Sequence, residues 1–134
     1  MKRVDVPIAI IRRGRQILIC RRSPDTRLGG YWEFPGGKVE PGETIEQALE
    51  RELHEELAIE ATPTTALATI EHDYPDIQVR LHPFICIHRA GEPQALACDE
   101  VRWIAPADLC NFQFPPANAD LLAEVMAKLA EETT

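Results

Sequence analysis

Three glutamates lie close together in a segment with a helical pattern. Glu55 and Glu56 follow Glu52 by three and four positions, and at about 100° per residue all three share one arc of a helix. That arc overlaps the edge of the apolar stripe of the same segment, so the carboxylates lean toward the protein body. Like charges at these spacings repel one another. We therefore expect a positive group to compensate them.

A divalent cation is the compensating group that the residues favour. The only arginine or lysine of the segment is Arg51, and one step along a helix turns it about 100° away from Glu52. Carboxylate oxygens are the ligands that hard divalent cations prefer. The plainer interpretation is a solvated acidic surface helix. The residues around the glutamates decide between the two interpretations.

The segment from Thr44 to about Leu57 carries the signals of an α-helix. Thr44 and Gln47 form a capping-box pattern, and aliphatic residues recur every four positions as far as Leu57. The helix is expected to end near Ala58. The Pro35–Gly37 triplet lies upstream and ends any regular element before it. The acidic helix is thus preceded by a proline- and glycine-containing loop.

The rest of the chain is predicted to be mostly strand. A break is predicted at 62–64, where a proline lies between two threonines, one helical turn at 106–110, and a second helix over 118–130. A length of 134 residues suits one domain, residues 1–134. Apolar, β-branched runs predict strands at 4–12, 16–20, 66–72, 77–88 and 101–104, and a short apolar-acidic piece lies at 32–34.

Composition excludes several classes of partner. The net charge of −8 argues against polymeric nucleic acid and against an anionic membrane surface. The charge is uneven, because residues 33–60 carry nine acids and two bases whereas residues 1–32 carry eight bases and two acids. The four cysteines form no CxxC pair, and neither a signal peptide nor a long apolar span is present. We expect a reduced, cytoplasmic protein.

The acidic segment resembles the signature of the Nudix hydrolases. That signature is a Gly, five residues, a Glu, seven residues, and then Arg-Glu-aliphatic-x-Glu-Glu-x-Gly-aliphatic. This chain has Gly37, Glu43 and the run from Arg51 to Ile59 at those spacings, which is too many specified positions for a chance match. Ala58 stands where the family has Gly. It should strain the end of the helix if its φ is positive.

The resemblance implies a fold and a reaction. The fold would be α+β, the Nudix fold, with a mixed sheet between helices, and the reaction would hydrolyse a nucleoside diphosphate linked to another group. The implied cofactor is Mg²⁺, with Mn²⁺ as a substitute, because both take hard oxygen ligands. Glu43 and Arg51 would pair and tie the loop to the helix. The implied metal ligands are Glu52, Glu55, Glu56 and the backbone carbonyl of Gly36, and the three glutamates are also the implied catalytic residues, with Glu52 preferred as the base.

A second resemblance concerns the substrate. The segment from Phe114 to Asn118 reads FPPAN and is similar to one in the MutT-like branch, the 8-oxo-dGTP diphosphatases that cleanse the nucleotide pool. The Asn118 amide can donate to O6 and accept from N7–H of 8-oxoguanine, whereas guanine presents two acceptors there. The plainer interpretation is that Asn118 only caps the last helix.

Two further residues are assigned to the substrate by this resemblance. Arg22 would contact the nucleotide or its phosphate, and Phe34 would flank the base by stacking. Without the resemblance, Arg22 would be an ordinary surface charge and Phe34 a core residue. Both lie in segments, at 20–22 and 32–37, that also resemble the MutT-like branch.

The chain departs from that branch at two positions. Ile77 stands where the branch often has an arginine, and Ala97 stands where it often has a glutamate. Either Asp99 or Glu100 replaces that glutamate through a shifted loop, or the site relies on the helix carboxylates alone. The favoured function is Mg²⁺-dependent hydrolysis of 8-oxo-dGTP to 8-oxo-dGMP and pyrophosphate. The alternatives are a pyrimidine nucleotide such as CTP, ADP-ribose, or a module that senses a nucleotide without cleaving it.

Overall fold

A computed structural model describes residues 2–132. Short 3₁₀ helices lie at Pro106–Asn111 and Pro116–Asn118. No helix within the described range is long and apolar enough to cross a membrane. The strands and α-helices, in chain order, are β1 (Lys2–Arg13), β2 (Gln16–Arg21), β3 (Trp32–Glu33), α1 (Ile45–Leu57), β4 (Glu60–Ala66), β5 (Ile70–Asp73), β6 (Ile77–Ala90), β7 (Glu100–Ile104) and α2 (Ala119–Glu132).

The seven strands form one mixed sheet. β3, β2, β1, β6 and β4 are neighbours in that order, while β5 pairs with β6 and β7 with β2. β1 and β6 are parallel from Lys2 opposite Ile77 to Arg12 opposite Ile87, and the other pairings are antiparallel. The two long parallel strands therefore form the middle of the sheet.

Each face of the sheet packs against one helix. Successive residues of a strand point to opposite faces, so Ala9 and Ile11 join one hydrophobic cluster and Ile10 joins the other. The first cluster contains Leu49, Leu53 and Leu57 of α1, and the second contains Leu121, Val125 and Leu129 of α2. The prediction of an α+β fold with a mixed sheet between helices is confirmed.

Helix α1 begins and ends where the sequence predicts. The Gln47 N–H donates to Thr44 Oγ1 over 3.1 Å, and the Thr44 N–H donates to Gln47 Oε1 over 3.0 Å, which completes the capping box. At the other end Ala58 has φ 57° and ψ 35°. This left-handed backbone conformation is costly for any residue with a Cβ.

Replacing Ala58 by glycine is expected to stabilise the fold. Glycine adopts the observed φ without steric cost, which outweighs the extra freedom of the unfolded chain, so Ala58→Gly should raise the free energy of unfolding by about 0.5–1 kcal/mol. Chemical denaturation measures this change. The control is Ala127→Gly, at an exposed position in α2, which should lower stability by about the same amount. Equal destabilisation by both variants would contradict the strain at Ala58.

Two predictions about the elements were wrong. The break predicted at 62–64 lies inside β4, where Pro63 pairs with Cys86 beside a register shift. The single strand predicted at 66–72 is divided between the end of β4 and β5. Both errors arise because the long β6 pairs with two separate segments, which local patterns do not reveal. In addition, Asn118 ends a 3₁₀ helix, and α2 begins at Ala119.

Candidate active site

Five of the predicted site residues, which come from separate segments of the chain, line one cavity of about 480 Å³. They come from the ends of β2 and β3, from the loop before α1, from α1 itself and from the turn before α2. Because these segments lie far apart along the chain, only the fold brings them together. The predicted residues that line the cavity are Arg22, Phe34, Gly36, Glu56 and Asn118.

One of the three glutamates, Glu56, lines this cavity, and Glu52 is its neighbour on α1. Burial, together with the nearby Glu52 carboxylate, raises the pKa of Glu56 to about 8. Glu55 differs, because 57% of its side chain is exposed and it binds Arg51 instead. Within residues 2–132 no three acidic, histidine or cysteine side chains are grouped to hold a metal ion. The predicted ligand set is thus only partly assembled in this structure.

Arg51 corrects one expectation from the sequence. Its Nη1 donates to Glu52 Oε1 over 3.0 Å and to Glu55 Oε2 over 3.1 Å, although the helix turns the two Cα positions apart. The long, flexible arginine side chain spans that angle. The angle between the Cα positions therefore does not decide which carboxylates Arg51 can reach. Arg51 therefore compensates part of the negative charge that was assigned to a cation alone.

The same arginine ties the loop to the helix. Its Nε donates to Glu43 Oε2 over 2.7 Å and its Nη2 to Glu43 Oε1 over 3.0 Å. A further bond runs from Nη2 to the Lys38 carbonyl over 3.1 Å. The hydrogen bonds from Arg51 hold the pKa of Glu43 below its ordinary value. This bidentate pair holds the end of the loop at a set distance from α1.

The loop itself is held against β1. The Ala9 N–H donates to the Pro35 carbonyl over 2.8 Å, and the Gly37 N–H donates to the Pro7 carbonyl over 3.2 Å. A Cβ on Gly37 would lie 2.3 Å from the Glu52 Cδ, so the carboxylate occupies the space that a side chain would need. The loop backbone and the Glu52 and Glu56 carboxylates together present oxygen ligands of the type that a hard divalent cation takes.

Arg22 is held at the cavity wall by a carboxylate that the sequence analysis missed. Its Nη1 donates to Glu33 Oε2 over 2.8 Å and its Nε to the Arg27 carbonyl over 2.7 Å. Glu33 also lines the cavity and contributes to the raised pKa of Glu56. The sequence does contain a signal for Glu33, which is the alternation of side chains along a strand. Glu33 lies between two buried aromatic residues, so its side chain must point to the opposite face from theirs.

Phe34 belongs both to the core and to the cavity. Its side chain is buried, and its ring centroid lies 5.3 Å from that of Phe114. The ring also forms part of the cavity lining. The two interpretations of this residue are therefore compatible, since one edge of a ring can pack while another part faces a ligand.

Asn118 is half-buried and also lines the cavity. Its backbone N–H donates to the Pro115 carbonyl over 2.9 Å. Among the described residues no hydrogen bond joins its side-chain amide to another group, and in particular the amide does not cap α2. The donor and acceptor of this amide are consequently available to a molecule in the cavity.

The two residues proposed to replace the missing glutamate lie elsewhere. Asp99 Oδ2 accepts from Arg21 over 2.6 Å, and Glu100 Oε2 accepts from Arg102 over 3.0 Å. Neither lines the cavity, whereas Ala97 does. The expectation of a replacement by a shifted loop is therefore not met by this arrangement. Other lining residues that were not predicted are Cys20, Leu28, His72, Tyr74 and Cys98.

Comparisons with known proteins agree with the fold. A family model for the NUDIX domain matches residues 7–124. The chain is 35% identical over 126 residues to the 8-oxo-dGTP diphosphatase of Escherichia coli (strain K12), covering 93% of this chain and 98% of that protein. It is also 38% identical over 127 residues to the CTP pyrophosphohydrolase of the same organism, covering 95% and 94% respectively.

A solved structure is similar over nearly the whole chain. The solution structure of the E. coli ORF135 protein superposes with a TM-score of 0.84 at 36% identity, covering 98% of this chain and 94% of that one. The family match spans most of the described sheet and α1. The chain therefore belongs to the NUDIX family of hydrolases.

Proposed function

We propose that the chain hydrolyses 8-oxo-dGTP to 8-oxo-dGMP and pyrophosphate with Mg²⁺. The observation that carries this proposal is one cavity whose lining includes both an amide able to read a base, Asn118, and a carboxylate of the predicted metal site, Glu56. A relative named 8-oxo-dGTP diphosphatase, 35% identical over nearly the whole chain, supports the same substrate. We treat the metal as Mg²⁺ because the donors are all oxygen atoms.

Asn118 selects the nucleotide base through hydrogen bonding. The Asn118 amide offers one acceptor and two donors, and 8-oxoguanine presents N7–H and O6 side by side. With ordinary guanine the amide oxygen would face the N7 lone pair and stay unpaired, which costs binding free energy. Phe34 supplies an apolar ring against the base. A cavity of about 480 Å³ lies within the range of small-molecule sites.

The acidic residues of the site carry out the hydrolysis. Mg²⁺ held by Glu52, Glu55, Glu56 and the Gly36 carbonyl would neutralise phosphate charge and lower the pKa of a bound water. Glu52 takes the proton of the attacking water, since its carboxylate adjoins Glu56 beside the cavity. Arg22 orients the nucleotide, because within residues 2–132 its Nη2 enters no hydrogen bond and can reach a phosphate.

A panel of nucleotides tests this function. Pyrophosphate release with Mg²⁺ is measured for 8-oxo-dGTP, dGTP and CTP, and AMP release for ADP-ribose. We expect the highest kcat/KM with 8-oxo-dGTP. A preference for CTP would favour the activity in the name of the 38% identical relative, and AMP formation would indicate a dinucleotide hydrolase. Binding of 8-oxo-dGTP without any product would show a sensing module and contradict the proposal.

Gly37→Ala is expected to lower turnover while leaving the fold intact. The three atoms nearest to the new Cβ would all belong to the Glu52 carboxylate, with Cδ at 2.3 Å, and a flexible side chain can move away. A shift of about 1 Å at a catalytic group costs on the order of 10²-fold in rate. Pyrophosphate release and thermal denaturation, measured on the same sample, separate the two effects.

Gly36→Ala is the matched control for this prediction. Its Cβ would lie 2.1 Å from the Pro7 carbonyl oxygen and 2.8 Å from the Ile8 Cα. Because backbone atoms cannot move aside, this variant should lose stability as well as activity. A Gly37→Ala protein with normal turnover would show that the position of the Glu52 carboxylate does not matter.

A further inference from the structure

Two of the four cysteines stand side by side in the cavity wall. Cys20 is in β2, and Cys98 lies three residues before Val101, which is the partner of Cys20 on β7. Both side chains line the cavity, and both are free thiols. Cys20 belongs to one hydrophobic cluster and Cys98 packs against that cluster, while the Cys98 Sγ also lies 3.5 Å from the Glu100 carbonyl oxygen. Pairing of β2 with β7 thus brings together two sulfur atoms that lie far apart in the sequence.

The two thiols have different surroundings. Cys20 is only 3% exposed, whereas Cys98 is half-buried and open to the cavity. The contact with Cys20 is the main cause that lowers the pKa of Cys98, while the same contact and burial raise the pKa of Cys20. A small oxidant that enters the cavity therefore meets Cys98 first, with Cys20 directly behind it.

The other cysteines lack this arrangement. Cys86 is fully buried in the sheet, where its Sγ lies 3.8 Å from the Phe84 carbonyl. Cys110 is exposed on the 3₁₀ helix, where its Sγ lies 3.7 Å from the Ala107 carbonyl. Neither contacts a second thiol among the described residues. These two positions serve as internal controls for reactions at the pair.

We propose that Cys20 and Cys98 form an oxidation site at which hydrogen peroxide produces a disulfide in the cavity wall. The Cys98 sulfur attacks a peroxide oxygen and the O–O bond breaks, which leaves Cys98 sulfenic acid and one water. The Cys20 sulfur then attacks the Cys98 sulfur, the S–O bond breaks and a second water leaves. Two thiols lose two protons and two electrons, and the hydrogen peroxide is reduced to two waters.

The disulfide would join β2 covalently to the segment before β7. Both thiols share the cavity lining with Glu33 and Glu56, so the link lies in the same wall as these carboxylates. A stiffer wall there should slow nucleotide turnover. This consequence rests on the proposed function, whereas the disulfide itself is tested without any substrate.

Peptide mapping of oxidised protein tests the site. The folded Cys110→Ser protein, which cannot link two molecules through its exposed thiol, is treated with hydrogen peroxide, alkylated with iodoacetamide and digested without reductant. We expect the Cys20 and Cys98 peptides to be joined, about 2 Da lighter than their sum, and to separate after dithiothreitol. Alkylation of both cysteines at untreated levels, or oxidation of Cys98 beyond sulfenic acid without a link, would overturn the proposal.

A matched pair of variants tests the order of events. In Cys20→Ser the sulfenic acid on Cys98 has no partner, so its adduct with dimedone should be several-fold more abundant than in the parent protein. Cys86→Ser should leave the Cys20–Cys98 link unchanged. Equal dimedone labelling of Cys98 with and without Cys20 would show that Cys20 does not resolve the sulfenic acid.

Discussion

The Glu52→Gln protein is expected to bind 8-oxo-dGTP and to release pyrophosphate about 10²–10⁴ times more slowly, the range associated with loss of a general base. Glutamine keeps the shape of the side chain and can still accept the hydrogen bond from Arg51 Nη1, which spans 3.0 Å in the native chain. It cannot take a proton from water or supply a full charge to a cation. Pyrophosphate release at saturating Mg²⁺, compared with equilibrium binding of 8-oxo-dGTP, measures the effect.

Glu50→Gln is the control for this substitution. Glu50 lies on the same helix but is exposed and outside the cavity lining, so the change removes one negative charge at a distance from the site. Its turnover should match that of the unmodified chain, and thermal denaturation should show that both variants are folded. If Glu52→Gln turned over at the native rate, the assignment of Glu52 as the base would be wrong.

The Asn118→Ala protein is expected to lose selectivity between 8-oxo-dGTP and dGTP. Asn118 lines the cavity, and within residues 2–132 its side-chain amide forms no hydrogen bond with α2. Its removal takes away the paired donor and acceptor that distinguish O6 and N7–H from two acceptors. The ratio of kcat/KM values for the two nucleotides should fall about 10-fold or more, which corresponds to roughly 1–3 kcal/mol for a lost buried pairing.

Asn111→Ala provides the comparison at an asparagine outside the cavity. Asn111 is exposed at the end of the first 3₁₀ helix, so its substitution should leave the selectivity ratio unchanged. An unchanged ratio in Asn118→Ala as well would mean that another group recognises the base. If Asn118→Ala lost stability but kept the ratio of kcat/KM values for the two nucleotides, the role of Asn118 would be structural only.

Arg51 links the two halves of the acidic site. It donates to Glu43 in the loop and to Glu52 and Glu55 on α1, which are the same carboxylates that the family resemblance assigns to the cation. A cation and Arg51 therefore draw on one set of negative charges. Glu55 is the carboxylate with the most freedom to exchange one partner for the other. Its side chain is 57% exposed, whereas those of Glu43 and Glu52 are 19% and 15% exposed.

Local signals in the chain determined the α1 region. The capping box at Thr44, the four-residue spacing of leucines and the end at Ala58 all depend on contacts within one helical turn. The Nudix-type spacing from Gly37 to Glu56 likewise lies within one loop and one helix. Such features can be predicted because neighbouring residues alone decide the backbone geometry.

Only the tertiary structure decided which side chains share the cavity. The proximity of Cys20 to Cys98, the ion pair between Arg22 and Glu33, and the distance of Asp99 from the site all depend on how β2 pairs with β3 and β7. The pairing of β6 with β4 along one part of its length and with β5 along another also depends on strand pairing. The acidic residues at 33–60 were visible from the sequence as a charge cluster, but pairing between distant strands determines which of them meet, because it depends on packing over the whole core.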